Sequence, residues 1–170
     1  WQTDVGTAIE QARTGKYREA AAALNQIVEA GNVDPQAVES LYYSWIRQGD
    51  YVRARDRFEI LSAGNATAAP LRLAAGRANH LMGNFDRALA HLNAVLNAAG
   101  VGTAAQYEKA TILEDTGKRD EAKALYQKII QSFQSGSLRT PNDLMYAARA
   151  MWATEYFHDA NDVFKLATQG

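Results

Sequence analysis

Three histidines, His80, His91 and His158, are the side chains of this 170-residue chain best suited to proton transfer or metal binding, and they are far apart in sequence. None sits in a His-Glu-x-x-His frame, which would place two ligands and a base on one helix face. His158 and Asp162 lie four apart, a spacing that puts both on one side of a helix and is compatible with a metal. Two ligands are too few for a closed site, so a solvated surface pair is expected. The stretch GVGT at 100–103 contains Gly-x-Gly but precedes no lysine and follows no strand pattern, so it reads as a loop and not a phosphate cradle. Glu114 and Asp115 belong to a charge run typical of a solvated face. The sequence Asn-Ala-Thr at 65–67 is a glycosylation acceptor by pattern only. No cysteine is present, which excludes disulfides, thiolate metal sites and cysteine nucleophiles. The chemistry-bearing residues therefore point away from an enzyme, and neither a cofactor nor a metal is expected.

The charge balance narrows the partner class. There are 18 basic and 19 acidic residues, a net charge of -1. A nucleic-acid binder or a binder of anionic membranes shows clustered positive charge instead, so neither partner is expected. No apolar run approaches the roughly 18 residues of a membrane-crossing helix. The chain begins at Trp1 rather than Met. This reads as a processed or trimmed chain, and both a cytoplasmic and an exported location stay open.

The elements that position these residues are announced by a repeat. GKYREAAAAL begins at Gly15, GDYVRARDRF at Gly49, GNFDRALAHL at Gly83 and GKRDEAKALY at Gly117, each 34 residues after the last. A fixed period of this length marks stacked helix–turn–helix units. Numbered from Trp1, position 15 is glycine in all four. Position 17 is Tyr17, Tyr51, Phe85 and, as an exception, Arg119. Position 20 is Ala20, Ala54, Ala88 and Ala122, and position 24 is Leu24, Phe58, Leu92 and Tyr126. Glycine ends a helix where the backbone needs φ > 0. The aromatic two residues on is expected to plug the corner. Alanine allows two helices to approach closely, and the large residue at 24 shares its face and fills the core. A fifth copy, shifted by four residues, carries Phe157, Ala160 and Phe164, with Glu155 in place of glycine.

Prolines and caps support the same frame. Pro35, Pro70 and Pro141 fall at positions 1, 2 and 1, where a missing N–H costs nothing. Thr140 with Asp143, and Thr103 with Gln106, resemble capping boxes. Alanine makes up about a fifth of the chain and is the strongest helix former. The expectation is an all-α chain of about ten helices. The first helices of the pairs (A) fall near 2–14, 35–48, 70–82, 104–116 and 141–154. Their partners (B) fall near 17–30, 51–63, 85–98, 119–133 and 157–168.

These columns resemble the tetratricopeptide repeat family, over essentially the whole chain as one array of five units, about 1–34, 35–68, 69–102, 103–136 and 141–170. The sequence departs from the family pattern at position 4, which holds Asp4, Val38, Arg72, Gln106 and Leu144. No proline stands at position 32, and Tyr42 takes a place that is usually small. The resemblance implies a right-handed α-solenoid of antiparallel helix pairs, with the A helices lining a concave groove through positions 2, 5, 9, 12 and 13. Those columns vary where the scaffold columns do not, and they are rich in aromatics and arginine, the types enriched at interface hot spots. The candidate groove residues are Tyr43, Arg47, Arg77, His80, Tyr107, Thr111, Glu114, Arg149 and Trp152. Arg47, Arg77, His80 and Arg149 would make part of the groove positive, so a protein or peptide bearing acidic side chains or a free carboxylate is the expected partner. Some family members clamp a C-terminus with lysine and asparagine at positions 5 and 9 of the first repeat. Here these are Val5 and Ile9, so that clamp is not expected.

The last B helix carries Phe157, Val163, Phe164, Leu166 and Ala167. Helical arrays usually end in a polar cap. Two readings stay open: the chain is a fragment of a longer protein, or this end packs on a second copy as a homodimer. The corresponding alternative to a binding groove is a structural spacer or self-association module with the groove empty.

Overall fold

The computed structural model describes residues 3–169, and among them it contains ten α-helices and no strand. The helices are α1 (Val5–Arg13), α2 (Tyr17–Glu29), α3 (Pro35–Arg47), α4 (Tyr51–Gly64), α5 (Ala69–Leu81), α6 (Phe85–Asn93), α7 (Gly102–Asp115), α8 (Arg119–Gln134), α9 (Pro141–Ala153) and α10 (Phe157–Thr168). The expected start of the first helix at position 2 lies outside the described residues. The contacts gather into two compact units, one running to Val95 with α1–α6 and one from Leu96 with α7–α10. In the first, α1 packs on α2, α2 on α3, α4 on α5 and α5 on α6, while α3 also touches α1 and α5. In the second, α7 packs on α8, α8 on α9 and α9 on α10, with α7 against α9.

The repeating columns act as their chemistry demands. The corner glycines Gly15, Gly49, Gly83 and Gly117 have φ between 76° and 85°. Each corner closes the same way: Gly49 N–H donates to Ile46 O at 3.0 Å and Asp50 N–H to Trp45 O at 2.9 Å. These two bonds satisfy carbonyls that the helix end would otherwise leave unpaired. Glu155 takes the glycine's place with φ 70°, and Tyr156 N–H still reaches Met151 O at 2.8 Å. Ala20, Ala54, Ala88, Ala122 and Ala160 are all buried, as are Leu24, Phe58, Leu92 and Tyr126. Tyr42, at the usually small position, is also buried, with its ring 6.2 Å from Phe58.

Three local expectations are corrected. Of the position-17 aromatics, Tyr51 and Phe157 do not plug their corners, being close to half exposed, whereas Tyr17 and Phe85 are partly buried. Phe85 and Phe157 lean on the A-helix residue five places before, as His80–Phe85 at 5.9 Å and Trp152–Phe157 at 4.7 Å. Helix α6 ends at Asn93 rather than near 98. Thr103 is not an N-cap either: α7 starts at Gly102 behind Val101, and Gln106 Nε2 donates to Leu96 O at 2.8 Å. A β-carbon on Gly102 would stand 2.7 Å from that same carbonyl oxygen. The helix entry is thus set by the close approach of the preceding turn, which only glycine allows. The other box is half formed as read, with Thr140 Oγ1 accepting from Asp143 N–H at 3.1 Å.

Candidate partner-binding surface

In the unit of α1–α6 the candidate residues are spread and unequal. Tyr43 on α3 is 46% exposed, its ring set edge-on to Tyr42 at 5.8 Å. Arg47 is exposed in the last turn of α3. Arg77 on α5 is only 8% exposed, and its Nη1 lies 3.9 Å from Glu39 Oε1 on α3. It is an inter-helix element of the packing and offers no open cation. His80 is half buried against Phe85.

In the unit of α7–α10 the candidates converge. Tyr107, Thr111 and Glu114 on α7, with Arg149 and Trp152 on α9, line one cleft of about 380 Å³. Tyr126 of α8 and Phe164 of α10 complete its walls. The spacing explains the convergence: 107, 111 and 114 occupy one face of α7, and 149 and 152 one face of α9, and those helices touch. The Tyr107 ring lies 5.8 Å from Tyr126 and 5.4 Å from Tyr146. The Arg149 guanidinium stands over both Tyr107 and Tyr146, at 5.9 and 5.7 Å from the ring centroids. Such stacking holds the cation by its face, while its N–H edge stays suited to a carboxylate fork. Trp152 is 52% exposed and meets Phe157 nearly edge-on.

The phenols of this cleft remain protonated donors. Burial pushes Tyr126 well above the ordinary tyrosine value, and the Glu114 carboxylate, which accepts its hydrogen bond, pushes it further. Burial also raises Tyr107, partly opposed by the Arg149 charge. Thr111 Oγ1 donates to Glu108 O at 2.7 Å, so its hydroxyl is engaged with its own helix.

The histidines settle into structural roles. His158 Nε2 lies 3.8 Å from Asp162 Oδ2 with side chains 93% and 60% exposed, a solvated pair. His91 is buried and belongs to a cluster that the histidine spacing did not suggest. Glu59 Oε1 accepts from Asn79 Nδ2 at 2.7 Å and pairs with His91 Nε2 at 2.8 Å, while Arg87 Nη2 reaches Glu59 Oε2 at 2.6 Å. One signal was available: Asn79 occupies a column that holds Trp45, Leu113 and Met151 in three other repeats. A buried amide there requires polar partners. No group of three or more potential metal ligands occurs among the described residues, and no described helix is long and apolar enough to cross a membrane.

Paired helices, a glycine-closed corner and a small-residue contact column define a helical-repeat scaffold of the protein-interaction class. Residues 6–59 and 73–137 match the tetratricopeptide repeat family, and the chain belongs to it. The fold class expected from the sequence, an all-α solenoid of antiparallel helix pairs, is the one found. Solved structures with the same fold include MamA from AMB-1, 19% identical, covering 97% of this chain and 95% of that one with a TM-score of 0.57. A second MamA structure is 19% identical, covering 98% and 94% with a TM-score of 0.59. A Podosopora anserina chain of nearly identical TPR-like repeats, provisionally assigned as a kinesin light chain, is also 19% identical, covering 95% and 90% with a TM-score of 0.60. No curated protein matches the sequence. The family is generally non-enzymatic and takes protein partners.

Proposed function

We propose that this chain binds a peptide or protein segment on its A-helix surface, and that the α7–α9 cleft is its principal anchoring point. The observation that carries this reading is the convergence of Tyr107, Thr111, Glu114, Arg149 and Trp152 on one cleft. Aromatic walls supply contact area at low entropic cost, and a stacked arginine supplies a directed cation. A segment with an apolar side chain beside a carboxylate, either acidic or C-terminal, matches both. In the unit of α1–α6, the exposed Tyr43 and Arg47 present the same pairing of residue types.

The test is a peptide library displayed with free and with amidated C-termini. Peptides enriched on the parent protein are expected to carry an acidic group beside a large apolar residue. They should lose at least tenfold in affinity for the Arg149→Gln, Trp152→Ala variant, both positions being exposed and their loss tolerable to the fold. Affinities unchanged within twofold would sink the groove reading and favour a spacer with an empty groove.

A further inference from the structure

The α7–α9 cleft carries both signs of charge, and neither is neutralised. Arg149 and Glu114 line it together, yet no ion pair joins them to each other or to another described residue. Arg149 is held by its face against Tyr107 and Tyr146, so its N–H edge stays open to a carboxylate. Glu114 is exposed in the last turn of α7. The Tyr126 phenol donates to it. That bond leaves most of the carboxylate open, since its two oxygens offer about four lone-pair sites. A ligand that covered Glu114 with apolar surface would strip its water without replacing those hydrogen bonds, which is costly for an ionised group.

The other walls are aromatic. Position 24 is closed in the first four repeats, where Leu24, Phe58, Leu92 and Tyr126 are at most 2% exposed. Phe164 at the same position is only partly buried and lines the cleft, and Trp152 stands open beside it. A long methylene stem lies well along such surface while its charged head stays in polar surroundings. An ammonium or guanidinium over an aromatic face gains further attraction. Beyond Glu114 the cleft adjoins a second hollow of about 490 Å³, which shares Glu114, Tyr126 and Ala153 with it. Counting Glu114, that hollow sets three carboxylates, the others being Asp115 and Glu155, against the two cations Arg119 and Lys123. Its charge balance therefore does not repel a cation that reaches Glu114 from the cleft.

We infer that this cleft selects a peptide ending in lysine or arginine, with Glu114 as the residue that sets the choice; this rests on the anchoring role proposed above for the same cleft. The terminal carboxylate meets Arg149, the aliphatic stem lies against Trp152 and Phe164, and the charged tip meets Glu114. One ligand residue satisfies both charges only when its own backbone end supplies the carboxylate. An acidic side chain would need a second residue to reach Glu114. The cleft, at about 380 Å³, stands at the small end of the roughly 300–1,000 Å³ of ligand pockets, so the ligand that meets both charges with fewest atoms fits it best.

The test titrates the whole chain with Gly-Ser-Gly-Ser peptides extended by a last residue that is lysine, Nε-acetyl-lysine or norleucine, at low salt and neutral pH. Each is made with a free and with an amidated C-terminus. Among the free acids, lysine is expected to bind at least about fivefold tighter than acetyl-lysine or norleucine, the scale of one ion pair with an aromatic contact. In the Glu114→Gln variant that ratio should fall to within about twofold, because the variant keeps the shape of the side chain and removes its charge. Amidation should weaken the lysine peptide by at least as much as the loss of its ammonium does. Equal binding of the three free acids overturns the selection by Glu114 and leaves the anchoring of a carboxylate by Arg149 standing. A lysine preference that persists in Glu114→Gln, or that survives amidation, also overturns it. No binding by any free-acid peptide overturns the C-terminal reading, while the displayed library judges segment binding by itself, so the two readings fail separately.

Discussion

Glu155 shows what one residue can hold against its own preference. It stands at the fifth helix corner with φ 70°, where the other four corners use glycine. A β-carbon in the left-handed region crowds the following carbonyl, at about 1–2 kcal/mol. The corner forms nonetheless, because its two backbone bonds to Trp152 and Met151 are the same pair that closes every other corner. The Glu155 side chain is exposed, so replacing it removes little contact. Glu155→Gly should therefore stabilise the fold by about 0.5–1 kcal/mol, the relief of strain being partly offset by the greater freedom of glycine in the unfolded chain. Thermal melts of parent and variant decide it. A variant that melts at the same or a lower temperature would mean that the corner is not strained.

At the scale of elements, α4, α5 and α6 are joined by one carboxylate. Burial drives the Glu59 carboxyl upward, but hydrogen bonds from Arg87, His91 and Asn79 outweigh that and hold it at about 2. A carboxyl whose folded value lies below its unfolded one adds stability above the unfolded value, near 4.5, and loses it as the pH falls from there toward 2. Glu59→Gln should thus cost about 2 kcal/mol at pH 7, the typical worth of hydrogen bonds to a charged group. The gap between parent and variant should narrow progressively as the pH falls from 4.5 toward 2. Urea titrations at those pH values measure it, and a gap that stays constant with pH would show that the charge of Glu59 contributes nothing. The cluster also marks the limit of reading this chain by its columns. The glycine, alanine and position-24 columns were legible because each has a local steric cause that recurs every 34 residues. Arg77 was read as an open groove residue, yet it is buried, with Glu39 of the neighbouring A helix 3.9 Å away, and such neighbour-specific packing leaves no periodic trace. The close approach of Gly102 to Leu96 O, where a β-carbon would stand 2.7 Å away, was hidden for a similar reason, being a feature of one turn alone.

At the scale of the whole molecule, the two units differ in what they can bury. The first holds three helix pairs, and its core includes Leu24, Leu41, Phe58 and Leu71. The second holds two pairs around Leu113, Tyr126, Ile129 and Met151. In repeat arrays each unit is stabilised mainly by its neighbours, and about three are needed for independent stability. We therefore expect residues 1–95 to fold alone with a cooperative melt, and residues 96–170 alone to melt lower and less steeply. Circular dichroism of the two fragments checks this, and a 96–170 fragment as stable as 1–95 would refute it. The asymmetry bears on the proposed function, because the α7–α9 cleft lies entirely in the two-pair unit. A ligand that binds only the folded form adds about 2.7 kcal/mol when present at a hundred times its Kd. In a unit with little stability of its own, that gain is a large share of the total. The same peptides that select the cleft should therefore raise the melting temperature of the 96–170 fragment. A peptide that binds the whole chain through Arg149 and Trp152 yet leaves that transition unmoved would place its binding energy outside this unit.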